Sequence, residues 1–102
     1  MDLKLEGKNA IVTGASAGIG RAIAKGLAAE GVRLVVSGRR ANELESLARE
    51  IEKGGGAKPV IVVHDAMDPG YVDAIMKAAE AVGPIGILVN NAGGSRAFGK
   101  DA

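Results

Sequence analysis

Thr13-Gly14-Ala15-Ser16-Ala17-Gly18-Ile19-Gly20 gathers three glycines around one serine and is the stretch of this sequence best suited to hold an anion. It follows a short apolar run, Asn9 to Thr13, and leads into residues at helical spacing, so it falls where a strand turns into a helix N-terminus. Backbone N–H groups at such a point lack intrahelical partners, and the helix dipole adds partial positive charge. A phosphate can therefore be held there without a cationic side chain. Gly14 lets the chain turn sharply off the strand, Gly18 removes a Cβ where a pyrophosphate must approach the backbone, and Gly20 lets the helix lie close to the sheet. The Ser16 hydroxyl is a further donor, and Ala17 and Ile19 complete the turn. A glycine-rich loop alone also fits a plain tight turn, but the strand before it and the helix after it favour the phosphate reading. It is not a Walker A loop, because no Gly-Lys-Ser/Thr follows.

About twenty residues further on, a dinucleotide site that prefers NAD places an acid at the end of the second strand to bond the ribose 2′-hydroxyl. Gly38 occupies that position here, flanked by Ser37, Arg39 and Arg40. An arginine at this point can pair with the 2′-phosphate of NADP through charge-assisted hydrogen bonds, so NADP is the expected cofactor and NAD the alternative. Solvated loop arginines are the competing interpretation of Arg39 and Arg40. Other chemistry is sparse. The chain has no Cys and a single His, His64, which excludes thiol nucleophiles and thiolate metal sites and leaves no metal site in prospect. His64 and the lone Tyr71 read as structural, and Ser95 has no base after it to activate it. No catalytic residue is assigned.

The elements that must position these groups follow from the pattern of apolar residues. Leu34-Val35-Val36 marks a buried second strand within Val32 to Ser37, and Leu44, Leu47, Ala48 and Ile51 form the stripe of a second helix capped by Asn42 with Glu45. In the first helix the apolar stripe is Ile19, Ala22, Ile23, Gly26 and Leu27, closed by a left-handed cap at Gly31. After a loop at Lys53 to Lys58 comes a third strand, Val60 to His64, and Asp68-Pro69 starts a third helix with Val72, Ile75, Met76 and Ala79 on its buried side. Gly83-Pro84 stops that helix, and Ile85 to Val89 is a fourth strand. The alternation predicts an α/β fold, a Rossmann-type doubly wound parallel sheet of four strands in the order 3-2-1-4 with three helices. Its fourth strand would keep one bare edge, so residues 1–102 read as the dinucleotide-binding portion of a single longer domain, apparently truncated.

Composition agrees with this. Sixteen glycines, about twice the usual share, and one Tyr with one Phe imply a small-residue aliphatic core such as a parallel sheet between helices requires. Thirteen Lys and Arg against twelve Asp and Glu, with no run of like charge, argue against a nucleic-acid or membrane-surface protein. The charged N-terminal segment Met1 to Lys8 is unlike a signal peptide, and with the lack of Cys a cytoplasmic setting is expected.

Together these residues resemble the short-chain dehydrogenase/reductase family over essentially the whole chain. The family's loop Thr-Gly-x-x-x-Gly-x-Gly is matched by Thr13, Gly14, Gly18 and Gly20, and its Asn-Asn-Ala-Gly by Asn90, Asn91, Ala92 and Gly93. Its acid after the third strand falls on Asp65, followed by Ala66, where the resemblance implies a contact with the adenine ring. It further implies that Asn90 or Asn91 braces the sheet while the backbone of Ala92 and Gly93 passes the cofactor ribose. The implied activity is hydride transfer between a nicotinamide and an alcohol or carbonyl substrate, with a 3-oxoacyl thioester, a sugar or another small ketone all compatible, in a homo-oligomer. Two departures stand out: Gly86 replaces a frequent Asp, and Ala17 stands where NADP-preferring members often carry a basic residue. The family's catalytic Ser, Tyr-x-x-x-Lys and Asn all come after the Asn-Asn-Ala-Gly motif and have no counterpart here. The chain alone is therefore expected to be inactive, with a non-catalytic dinucleotide-binding module as the alternative function.

Overall fold

The computed structural model describes residues 5–65 and 67–91. Strands β1 (Asn9–Thr13), β2 (Arg33–Gly38), β3 (Val60–Val63) and β4 (Ile87–Asn90) alternate with helices α1 (Gly18–Ala29), α2 (Ala41–Lys53) and α3 (Tyr71–Val82). All pairings are parallel and the sheet order is β3-β2-β1-β4, as the alternation predicted. Chain direction across the sheet reverses between β1 and β4, because the first two crossovers run one way from β1 and the third passes back over it.

Burial follows from this layering. Ala10, Val12, Leu34 and Val36 point to the α1 and α2 side, packing with Ala24, Ala28, Leu44, Leu47 and Ile51. Ile11, Val35 and Val62 point the other way, onto Ile75 and Ala79 of α3. The central run Leu34-Val35-Val36 is thus enclosed on both faces, at 2%, 0% and 0% exposure, which is why it reads as unbroken hydrophobic sequence.

Element ends differ from the sequence expectation by a residue or two, each for a local reason. α1 closes as a Schellman turn, with Gly31 at φ 86, Gly31 N–H on Ala28 O at 3.0 Å and Val32 N–H on Leu27 O at 3.1 Å. Val32 is committed to that turn, so β2 starts at Arg33 and runs on to Gly38, which pairs with Val63. β4 starts at Ile87, opposite Ala10, and ends at Asn90, opposite Thr13. The expected caps are corrected: α2 has Arg40 at its N-cap, and Asn42 Oδ1 instead accepts the adjacent Glu43 N–H at 3.0 Å. α3 begins at Tyr71 after Gly70, while Asp68 Oδ1 accepts Gly70 N–H at 2.9 Å in a turn just before it.

Two helix faces are also corrected. Helix α1 buries Gly20, Ala24 and Ala28, leaving Ile19 72% exposed and Ala22 and Gly26 outside. Its closest approach to the sheet is made by its smallest residues, and of the large residues in the expected stripe Leu27 packs against the core. In α3, Ile75 and Ala79 are buried as expected, but Val72 and Met76 are 64% and 55% exposed, since the apolar arc is wider than the sheet beneath it. The α2 stripe Leu44, Leu47, Ala48 and Ile51 is buried in full. No described helix is long and apolar enough to cross a membrane.

Candidate functional site

All four strands end on one edge of the sheet, and the glycine turn, the β2–α2 connection, Asp65 and the Asn90-Asn91 pair are gathered there. Gly14 and Gly18 adopt φ of 64 and 63, left-handed values that a residue with a Cβ resists. Ala17 is extended at the N-cap of α1 and no side chain caps the helix, so its first N–H groups are left for an external acceptor. Gly20 is required by space. A Cβ there would collide with Gly14 O and lie 2.8 Å from Asn91 Nδ2.

The turn is tied to both neighbouring strands. Toward β2, Ala15 N–H donates to Ser37 O at 2.8 Å. Toward β4, Asn91 Nδ2 donates to Gly14 O at 3.2 Å. Thr13 completes this second tie: its hydroxyl accepts Asn91 N–H at 2.8 Å and lies 3.1 Å from Asn90 Oδ1 and 3.4 Å from Val89 O, the acceptors to which it can donate. Both asparagines therefore brace the end of β4 against β1. Sequence reasoning marked Thr13 only as the first residue of a motif. Its position directly opposite Asn90 in the register is what makes it the bridge.

On the other side, Gly38 lies so close to Ser16 that a Cβ on it would sit 3.2 Å from the Ser16 Cβ and Oγ. The glycine turn and the end of β2 therefore border one crevice. Arg39 and Arg40 are exposed beside it, and neither makes an ion pair with another described residue. Asp65 is exposed past the end of β3, with Oδ1 accepting Met67 N–H at 2.9 Å. Ser37 is different. Its side chain is fully enclosed and its hydroxyl has no hydrogen-bond partner among the described residues, so what it offers the turn is its carbonyl. Ala66, Ala92, Gly93, Ser95 and Phe98 lie outside the described residues.

His64 is half-buried, 3.6 Å from Asp68 and two strands from the β1–β4 reversal. Tyr71 is half-buried against the α3 side of the core. Sequence reasoning missed Arg21, whose guanidinium crosses from α1 to α2 and bonds Glu43 O, Ser46 Oγ and Glu50 Oε2 at 2.9, 3.1 and 2.8 Å. Lys25 bonds the other Glu50 oxygen at 2.8 Å. Hydrogen bonds from Lys25 first and Arg21 second hold the Glu50 carboxyl below its ordinary value. The signal for this cluster was present in the sequence as cations and an acid on neighbouring helices, but nothing in the spacing says that α1 and α2 lie side by side.

Residues 8–101 match the family model of the short chain dehydrogenases. The chain belongs to that family. It is 46% identical over 90 residues to glycine betaine reductase ATRR of Emericella nidulans, covering 87% of this chain and 7% of that protein. It is 40% identical over 92 residues to the 7alpha-hydroxysteroid dehydrogenase of Clostridium sardiniense, covering 90% and 35%. Among solved structures, L-sorbose reductase from Gluconobacter frateurii, complexed with NADPH and L-sorbose, superposes with a TM-score of 0.85 at 40% identity, covering 91% of this chain and 36% of that one. The chain thus spans about a third or less of the length of these relatives. The short-chain dehydrogenase assignment agrees with the parallel β3-β2-β1-β4 order and with the turn at the end of β1.

Proposed function

We propose that residues 1–102 are the dinucleotide-binding portion of a single short-chain dehydrogenase domain whose cofactor is NADP(H). The observation that carries this reading is the crevice in which an uncapped α1 N-terminus and an acid-free β2 end meet at Ser16 and Gly38, with Arg39 and Arg40 exposed alongside. The glycine turn, from Gly14 through Ser16, Ala17, Gly18 and Ile19 to Gly20, would take the pyrophosphate with its N–H groups and the Ser16 hydroxyl. Arg39, supported by Arg40, would pair with the 2′-phosphate, a group that an acid at position 38 would repel. Asp65 and Ala66 would border the adenine, and Asn90, Asn91, Ala92 and Gly93 the ribose near the β1–β4 reversal, where ligands sit in open α/β sheets.

The nicotinamide supplies hydride chemistry when bound, and the residues of this chain hold and orient it. In the whole protein the reaction would join an alcohol or carbonyl substrate to that hydride transfer, within a cytoplasmic homo-oligomer. The NADPH held by the similar L-sorbose reductase supports the cofactor choice. Calorimetric titration with NADP+ and NAD+ tests it. NADP+ should bind about ten-fold or more tightly, as one charged hydrogen bond to the 2′-phosphate implies. Equal affinities would remove the reading.

A further inference from the structure

The connection that carries Arg39 and Arg40 is held at both ends to the strand-turn-helix unit it faces. At the strand end, Ala15 N–H bonds Ser37 O at 2.8 Å, and Ser16 packs over Gly38. At the helix end the side chain that reaches the first turns of α2 is Arg21, while Lys25 bonds Glu50, further along the helix. Arg21 Nη1 donates to Glu43 O at 2.9 Å and its Nη2 to Ser46 Oγ at 3.1 Å and Glu50 Oε2 at 2.8 Å. These acceptors lie along one face of α2, so the helix is gripped over about two turns. The Arg21 side chain is only 19% exposed and its donors are directed at α2, which leaves Arg39 and Arg40 as the exposed cations of the crevice among the described residues.

We propose that Arg21 is a positioning residue for cofactor choice. By fixing the first turns of α2 against the first turns of α1, it sets the separation between the glycine turn and the guanidinium groups of Arg39 and Arg40, and with it the discrimination in favour of a 2′-phosphorylated nucleotide. This inference rests on the cofactor reading above. Helix α2 transmits the position because Arg40 is its N-cap and Arg40 O accepts Leu44 N–H at 3.1 Å, so a shift of the helix carries the arginines with it. A forked guanidinium can serve three acceptors in different directions, whereas an ammonium on a flexible stem cannot hold the same set. A guanidinium–phosphate pair is directional, so a displacement of the helix weakens it while leaving the backbone N–H groups of the turn untouched.

The test uses two probes that differ only in the group at issue, adenosine 2′,5′-bisphosphate and AMP, titrated by calorimetry into the protein and into Arg21→Lys and Ser46→Ala/Glu50→Gln variants. Circular-dichroism melts accompany each titration. Arg21→Lys should weaken the bisphosphate about five- to ten-fold, part of the worth of one charged hydrogen bond, and leave AMP within about two-fold. The double variant keeps Arg21 and its bond to Glu43 O, so it should shift the same ratio in the same direction by a smaller factor, and it decides the matter if Arg21→Lys does not fold. Equal weakening of both probes, or a lower melting temperature with an unchanged ratio, overturns the positioning role. An unsubstituted protein that binds the two probes equally would overturn the cofactor reading instead, before any variant is made.

Discussion

On the β4 side of the glycine turn, Thr13, Asn90 and Asn91 are bonded to one another and to Gly14 O, whereas on the β2 side Arg39, Arg40 and Asp65 stand exposed at the crevice. The first side is hydrogen-bonded throughout and made of backbone and short polar side chains. In the proposed function it would present N–H groups to a pyrophosphate, a part common to every dinucleotide, and so would bind without choosing. The second side carries the exposed charge that, in the proposed function, would distinguish a phosphate from a hydroxyl. As proposed, affinity and selectivity thus fall on opposite walls of one crevice, and each wall can be disturbed separately.

The largest disturbance is expected at the hydrogen-bonded wall. Gly20→Val would drive a side chain into Gly14 O and Asn91 Nδ2, and overpacking of this kind costs about 1–3 kcal/mol or more. Calorimetry should find NADP+ and NAD+ binding lost together and the melting temperature lowered; unchanged binding of both would show that the turn is not the phosphate site. At the selective wall, Gly38→Asp with Arg39→Ala in the full-length parent should move the preference toward NAD+ by about ten- to a hundred-fold. The new Cβ would lie 3.2 Å from Ser16 Cβ and Oγ, so Ser16 must give by a few tenths of an ångström. Equal weakening of both cofactors by Arg39→Ala alone would count against the division of roles.

Thr13→Val tests the brace itself. It leaves Asn91 N–H without its acceptor and should lower unfolding free energy by about 1–3 kcal/mol in urea titrations, with the NADP+ to NAD+ ratio unaltered. A change in that ratio would mean the two walls are coupled. The smallest effect concerns Glu50→Gln. Because Lys25 and Arg21 hold the folded-state pKa below the ordinary 4.5, the stabilisation is present above the unfolded value and is lost as pH falls through the folded one. The variant should therefore be less stable than the parent at pH 7, and the gap should narrow as pH falls below about 4.5. A gap independent of pH would assign the effect to packing.

The strand and helix order, the buried run Leu34-Val35-Val36, the α2 stripe and the left-handed glycine that closes α1 were all determined by the sequence, because each depends on periodicity or on a residue type that alone tolerates a backbone shape. The missing acid at Gly38 was legible for the same reason: its place is counted along the chain from the turn. What only the tertiary structure decided were relations between elements. The face of α1 that meets the sheet is chosen by how closely Gly20 can approach Gly14 and Asn91, so Ala24 and Ala28 are buried while Ile19 is exposed. Ser37 and Arg39 are near neighbours in sequence, yet strand pleating encloses one side chain and the connection beyond the strand leaves the other in solvent. Arg21 became a grip on α2, and Thr13 a bridge to Asn90 and Asn91, only when residues far apart in the chain were brought to hydrogen-bonding distance. Periodicity reports which residues leave water, but a hydrogen bond requires a partner at a given distance and direction, and that is set by how the layers pack.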